Sequence, residues 1–256
     1  MVLVAEIILA VLIWLFGACI FSFLNVVIYR VPRKLSFVKG CSHCPDCGHR
    51  LSGFDMIPVL SWLFLRGRCR YCGGKISSRY TWIELLGGCI ALLCVFKIGC
   101  NLAALTVFAF LGVLTVVAFV DIDTMEIPNG FVLAILIIGI VSEIKMPGIS
   151  LAARFAGILS VSLPLALITL AVPGAFGGGD IKLMGACGLL LGWKLNLAAL
   201  FLAVLTGGSY GIYLLLSKKK GRKEHFAFGP FLCLGMLVSV FGGAQLIAWY
   251  LSLCGL

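Results

Sequence analysis

The chain has 256 residues, 62% of them hydrophobic and only 12% charged, with a formal net charge of +10. A soluble domain carries about 25% charged residues, so this composition excludes a single water-soluble core and indicates a polytopic membrane protein. The basic excess is therefore read by position, as a report on topology rather than on nucleic-acid binding.

A membrane span needs roughly 20 apolar residues. In chain order the apolar runs are Val4–Ile28, Trp82–Ile98, Leu102–Val120, Gly130–Ile144, Ile149–Val172, Ile181–Gly192, Leu195–Leu216 and Gly229–Leu253. They predict an all-α membrane protein of about eight transmembrane helices, two of them short. The first run has no Lys or Arg before it, and Arg30, Arg33 and Lys34 after it. A cleavable signal has the opposite arrangement, so this run reads as a retained helix with its N-terminus outside and Glu6 at the outer surface.

With that orientation the inside segments are 29–81, 121–129, 173–180 and 217–228, and both chain ends lie outside. The first holds ten Lys/Arg, including Lys39, and the last holds five, Lys218, Lys219, Lys220, Arg222 and Lys223. Lys182 lies at the inner edge, leaving Lys97, Lys145, Arg154 and Lys194 for the outer side. The positive-inside rule favours this arrangement. The predicted division is a first helix, 1–28, a cytoplasmic loop domain, 29–81, and a transmembrane domain, 82–256.

The loop domain contains Cys44-Pro45-Asp46-Cys47 and Cys69-Arg70-Tyr71-Cys72. Two CxxC pairs at this separation read as a four-cysteine zinc site. Thiols stay reduced on the cytoplasmic side, which disfavours disulfides. Cys41, His43 and His49 are alternative ligands nearby. Four thiolates close a zinc ion's coordination, so the expected role is structural. The remaining cysteines, Cys19, Cys89, Cys94, Cys100, Cys187, Cys233 and Cys254, read mostly as small packing residues in or beside apolar runs. Glu84, at the start of the second run, is expected to cap that helix or to line a site between the loop domain and the membrane.

Asp121 ends one apolar run, with Asp123 and Glu126 just beyond, and Asp180 opens another after Gly177-Gly178-Gly179. Acidic groups beside hydrocarbon are functional candidates by default. Two carboxylates at two helix ends can share one site. Asp180 can alternatively cap a helix or pair with Lys182. Asp123 would point about 200° away from Asp121 on a helix, so Asp121 is the preferred partner, with Asp123 and Glu126 as surface charges. The glycines either let the Asp180 backbone approach the Asp121 helix or leave room for an extended substrate. Small-residue helix packing is the plainer reading. The basic run 218–223 reads as a topology signal that touches anionic lipid.

Gly177-x-Gly179-Asp180 resembles the GxGD signature of membrane aspartyl proteases. Ala175–Leu183 is similar to the form found in bacterial type IV prepilin peptidases, as are Asp121 with Ile127-Pro128-Asn129, the two CxxC pairs, Ile57–Leu63, Glu84-Leu85 and Phe228-Gly229-Pro230. The resemblance implies a bifunctional enzyme of the cell (inner) membrane. It would remove the basic leader of type IV prepilins or pseudopilins at the cytoplasmic edge, with Asp121 and Asp180 catalytic. It would then methylate the new N-terminal amine with S-adenosylmethionine. No glycine-rich strand-to-helix turn of the dinucleotide-binding kind is present, so residues for the methyl donor are not named, and a peptidase without methylation stays open. A transporter would place its aspartates near the midplane of broken helices, and an assembly factor would use the cysteine loop alone.

Overall fold

A chain crossing lipid must satisfy each backbone N–H and C=O within its own segment, and helices do so. The computed structural model describes residues 2–38, 40–145, 148–217 and 226–255, apart from the side chains at 143–145. The basic run 218–223 and Lys39 lie outside the described residues, and the side chain of Lys145 is likewise left aside.

Among the described residues there is no strand, only two isolated β-bridges. The helices are α1 (Val2–Arg30), α2 (Leu60–Phe64), α3 (Ser78–Ile98), α4 (Leu102–Thr124), α5 (Asn129–Lys145), α6 (Leu151–Ala171), α7 (Gly178–Leu216) and α8 (Gly229–Leu253), with a single 3₁₀ turn at Gly53–Met56. Six of them, α1, α3, α4, α6, α7 and α8, are long and apolar enough to cross a membrane, and α5 is a shorter apolar helix. The chain forms two compact units, 1–108 and 109–256.

In the first unit α1 packs on α3, and Asn25 Nδ2, buried in α1, donates to Tyr80 O over 3.1 Å. The residue that caps α3 is Ser77, whose hydroxyl accepts from Arg79 N–H at 3.3 Å. Glu84 does not cap the helix as the sequence suggested. It lies well inside α3, and its Oε2 accepts from Val59 N–H at 2.8 Å. Val59 has φ 63° and ψ −52°, and Leu60 N–H donates to Pro58 O at 2.6 Å. That is a γ-turn, rare for any residue and strained for a β-branched one.

In the second unit the 39 residues of α7 are not one rod. Gly192 has φ 71° and ψ 173°, which breaks the helix. Asn196 Nδ2 donates to Met184 O at 3.1 Å and to Gly157 O at 3.0 Å. In an unbroken helix residues 184 and 196 would be about 18 Å apart, so the chain doubles back at Gly192. The limbs 178–191 and 193–216 are antiparallel neighbours.

The first limb packs on α6 with Gly157 against Gly188, where a Cβ on either would fall 2.1–2.2 Å from the other's carbonyl oxygen. Without a hydrophobic driving force in lipid, such close backbone approach is what holds helices together. Arg154 in α6, assigned to the outer side from the sequence, is a buried strut. Its Nη1 donates to Ser142 Oγ (2.8 Å) in α5 and to Leu189 O (3.0 Å) in the last turn of the first limb. The second limb packs on α8, where Ser239 Oγ donates to Leu195 O at 2.7 Å.

Candidate active site and metal centre

α4 stays helical through Thr124 and stops at Met125, which takes φ 54° while its N–H still donates to Asp121 O at 2.8 Å. Pro128 then bars continuation and leads into α5. This places Asp121 in the last turn of α4, 5% exposed. Its Oδ2 accepts the N–H of Gly229, the first residue of α8, at 2.9 Å.

Gly177 is the N-cap of α7, and Asp180 is the third residue of the helix. A carboxylate at that position reaches back to the cap's N–H, and Asp180 Oδ2 accepts Gly177 N–H at 3.3 Å. The capping reading is thus partly met, from inside the helix, while Asp180 stays 8% exposed.

Asp121 and Asp180 line one cavity of about 330 Å³ together with Met125, Glu126, Ile127, Asn129, Lys182 and Gly177–Gly179. Neither carboxylate forms an ion pair among the described residues. The expected pairing of Asp180 with Lys182 is not made, because Lys182 Nζ donates to Asn129 Oδ1 at 3.2 Å. Asp123 and Glu126 are exposed, and only Glu126 reaches the cavity. The glycines differ in what surrounds them. Gly179 lies against Ile127, where a Cβ would come within 3.0 Å of that side chain, while Gly178 faces open space. Both carboxylates sit at helix ends, Asp121 in the last turn of α4 and Asp180 in the first turn of α7.

In the first unit the Sγ atoms of Cys44, Cys47, Cys69 and Cys72 lie within 4.8 Å of one another. Cys44 Sγ and Cys72 Sγ are 3.9 Å apart, close to the ~3.8 Å edge of a tetrahedron with 2.3 Å metal–sulfur bonds. Backbone N–H groups of Cys72 and then Tyr71 hold the Cys69 thiol down to about 7, and Gly74 N–H points at Cys72 Sγ at 3.4 Å. The donor set fits a closed metal centre. The alternative ligands Cys41, His43 and His49 are not part of this group among the described residues; His43 Nδ1 bonds to Cys41 O, and the His49 ring stacks on Tyr71 at 3.6 Å.

The two CxxC pairs are copies at a spacing of 25 residues, a repeat that reading the cysteines alone overlooks. Cys44 N–H bonds His49 O as Cys69 N–H bonds Gly74 O. Leu51 N–H bonds Ser42 O as Ile76 N–H bonds Gly67 O. The bridges His43–Arg50 and Arg68–Lys75 close the two hairpins alike, and Gly48 and Gly73 both have positive φ. Ser52 and Ser77 each start a helix after their hairpin. The Arg70–Asp55 ion pair of 2.7 Å ties the second hairpin to the turn after the first. Asp55 is held below the ordinary carboxylate range chiefly by the Ser52 hydroxyl.

Six helices long and apolar enough to span a membrane, with two buried carboxylates at helix ends and a four-cysteine cluster that could hold a metal, mark a multi-pass membrane protein. Residues 15–98 match the family model described as Bacterial Peptidase A24 N-terminal domain, and residues 108–212 match the Type IV leader peptidase family. The chain is 32% identical over 242 residues to the prepilin leader peptidase/N-methyltransferase of Bacillus subtilis (strain 168), covering 94% of this chain and 98% of that one. It is 31% identical over 270 residues to the protein of the same description from Aeromonas hydrophila (94% and 93%), and 29% over 266 residues to that from Legionella pneumophila (93% and 93%). No solved structure matches. The chain belongs to the type IV leader peptidase family.

Proposed function

We propose that this chain is a membrane aspartyl endopeptidase. It removes the leader peptide of type IV prepilins or pseudopilins and then N-methylates the new N-terminal residue. The observation that carries the peptidase reading is the pair Asp121 and Asp180, buried in one cavity and without an ion pair among the described residues. An ionised carboxylate on one takes a proton from water as the hydroxide oxygen bonds the scissile carbonyl carbon. The protonated carboxyl of the other gives its proton to the carbonyl oxygen. The C–N bond then breaks as the departing amine takes up a proton, and the dyad returns to its starting state. An extended peptide is needed, since a helix buries its carbonyls, and the open space at Gly178 gives its backbone room.

The topology proposed is eight crossings, counting α5 and both limbs of α7, with both chain ends outside the cell membrane. The positive-inside distribution supports this orientation. It puts the end of α4 and the starts of α7 and α8 at the cytoplasmic edge, consistent with their meeting at Asp121, Asp180 and Gly229. A prepilin with a basic leader inside and an apolar helix in the bilayer presents its junction at that edge. Zinc is the proposed metal of the four cysteines, where it supplies a structural cross-link for the domain 29–81. S-adenosylmethionine is the proposed methyl donor and supplies an electrophilic methyl group to the freed amine. Lipid is the remaining partner, and no nucleic acid is involved.

Cleavage of a prepilin in detergent tests the reading. Asp121→Asn and Asp180→Asn are expected to abolish cleavage with folding and bound metal intact, while Asp123→Asn stays active. Undiminished cleavage by Asp180→Asn would overturn the mechanism.

A further inference from the structure

Each carboxylate of the dyad is held by one backbone N–H, and each N–H belongs to a glycine that follows a phenylalanine. Phe176-Gly177 precedes α7, and Gly177 N–H donates to Asp180 Oδ2 at 3.3 Å. Phe228-Gly229 opens α8, and Gly229 N–H donates to Asp121 Oδ2 at 2.9 Å across 108 residues of sequence. The two phenyl rings pack on each other with centroids 5.9 Å apart. We infer that these two Phe–Gly steps form one clamp that positions the dyad. The glycine amides fix one oxygen of each carboxylate, leaving the other to face water and substrate, and the ring contact sets the separation of the two donors. Gly229 lies beyond the residues 108–212 that match the peptidase family model. The inference rests on the aspartyl peptidase reading and extends it to α8.

Both glycines face a carboxylate rather than another helix, and Gly229 is the tighter of the two. A Cβ on Gly229 would stand 2.7 Å from Asp121 Oδ2 and 3.1 Å from its Cγ, and one on Gly177 would stand 3.1 Å from Asp180 Oδ2. What either side chain would strike is the reacting group itself. Gly235, two turns further along α8, differs: its Cβ would meet the Ala199 carbonyl oxygen at 2.2 Å, a helix contact. The Phe228 side of the clamp is braced from α7. Its ring covers Gly207, and its neighbours Phe226 and Phe231 pack around Tyr210. Pro230 follows Gly229 and has no N–H of its own, so Gly229 N–H is the donor this helix start presents to the carboxylate. A donor with a fixed backbone position costs no reorganisation during reaction.

Two measurements test the clamp. The first is steady-state cleavage of a prepilin by full-length protein. Gly229→Ala is expected to lower kcat about 100-fold, the scale of a 1 Å misplacement, with KM and melting temperature near wild type. Gly235→Ala is expected to lower the melting temperature while its folded fraction keeps the wild-type kcat. Phe176→Leu and Phe228→Leu each lower kcat, and the double variant loses no more than the worse single one. The second measurement needs no activity and no folded glycine variant: amide spectra of ¹⁵N-glycine-labelled protein in micelles. Asp121→Asn is expected to move the Gly229 resonance and spare Gly177, and Asp180→Asn the reverse. A Gly229→Ala enzyme within threefold of wild-type kcat, or a Gly229 amide indifferent to Asp121→Asn, overturns the inference. If wild-type protein fails to cleave prepilin at all, the peptidase reading falls instead, and the amide spectra still decide whether the clamp exists.

Discussion

Glu84 and Val59 are joined by a 2.8 Å hydrogen bond in which the Val59 N–H donates to a carboxylate oxygen, and Val59 is the residue forced into a positive-φ γ-turn. A strained turn persists only where its surroundings over-determine it, and Glu84 is the group that does so here. Removing a charged acceptor from a partly buried N–H costs about 1–3 kcal/mol. Glu84→Ala is therefore expected to lower the melting temperature and speed amide exchange at Val59 and Leu60, whereas Glu84→Gln keeps an acceptor and stays close to wild type. Equal effects of the two variants would show that the bond does not hold the turn.

The glycines before Asp180 should separate by consequence. Gly178→Ala meets no atom within 4 Å and gains helix propensity of up to about 1 kcal/mol, so the protein should melt no lower. Its methyl group intrudes on the space proposed for substrate, and KM for prepilin should rise. Gly179→Ala instead presses on Ile127 at 3.0 Å and should lower stability. Thermal melts alongside cleavage kinetics read both effects.

Metal removal should unfold the two hairpins and spare the helical bundle. One metal ion per chain is expected, lost from Cys44→Ser or Cys72→Ser and retained in Cys41→Ser. Chelation should expose the amides of Cys44, Gly48, Cys69 and Gly73, which now bond within the hairpins. The pH dependence has a definite sign. The Cys69 thiol is depressed to about 7 by backbone N–H groups, so its contribution is complete above the ordinary thiol range near pH 8.5 and is lost as pH falls through 7. Protons compete with metal in the same direction. Metal release measured against pH should therefore increase on acidification.

The reversal at Gly192 should be sensitive at two positions. Gly192→Ala puts an L side chain at φ 71° and ψ 173°, an almost glycine-only region, with a Cβ 3.1 Å from Ile149, a strain of about 1–3 kcal/mol. Asn196→Leu leaves the carbonyls of Met184 and Gly157 without their shared donor, at about 1–3 kcal/mol. Both should melt earlier than wild type, and Asn196→Gln should not restore the loss, because its longer side chain does not fit a fully buried site beside Gly188.

What the sequence reveals depends on how local each feature is. Helical runs are legible because length and apolarity are local, and the seam between the runs 181–192 and 195–216 falls where Gly192 breaks α7. The cysteine cluster is legible because a CxxC pair fixes its own geometry. Asp180 with Lys182 misleads because residues two apart on a helix face different ways, and Lys182 finds Asn129 instead. Glu84 misleads for another reason: a helix-start carboxylate suggests a cap, but Ser77 already fills that place. The Gly229 contact with Asp121 spans 108 residues, and no local pattern announces it.

The limb 178–191 has 14 residues, and at 1.5 Å each it is about 21 Å long, against roughly 30 Å of hydrocarbon. A limb that short, ending in the Gly192 reversal, is tolerated because protein surrounds it: Leu183, Met184, Gly185, Ala186, Cys187, Gly188, Leu190 and Leu191 are all buried. Asp180 sits at one end of that limb. Asp180 therefore sits on a helix solvated by protein rather than by acyl chains, and a change of acyl-chain length is expected to leave that limb in place.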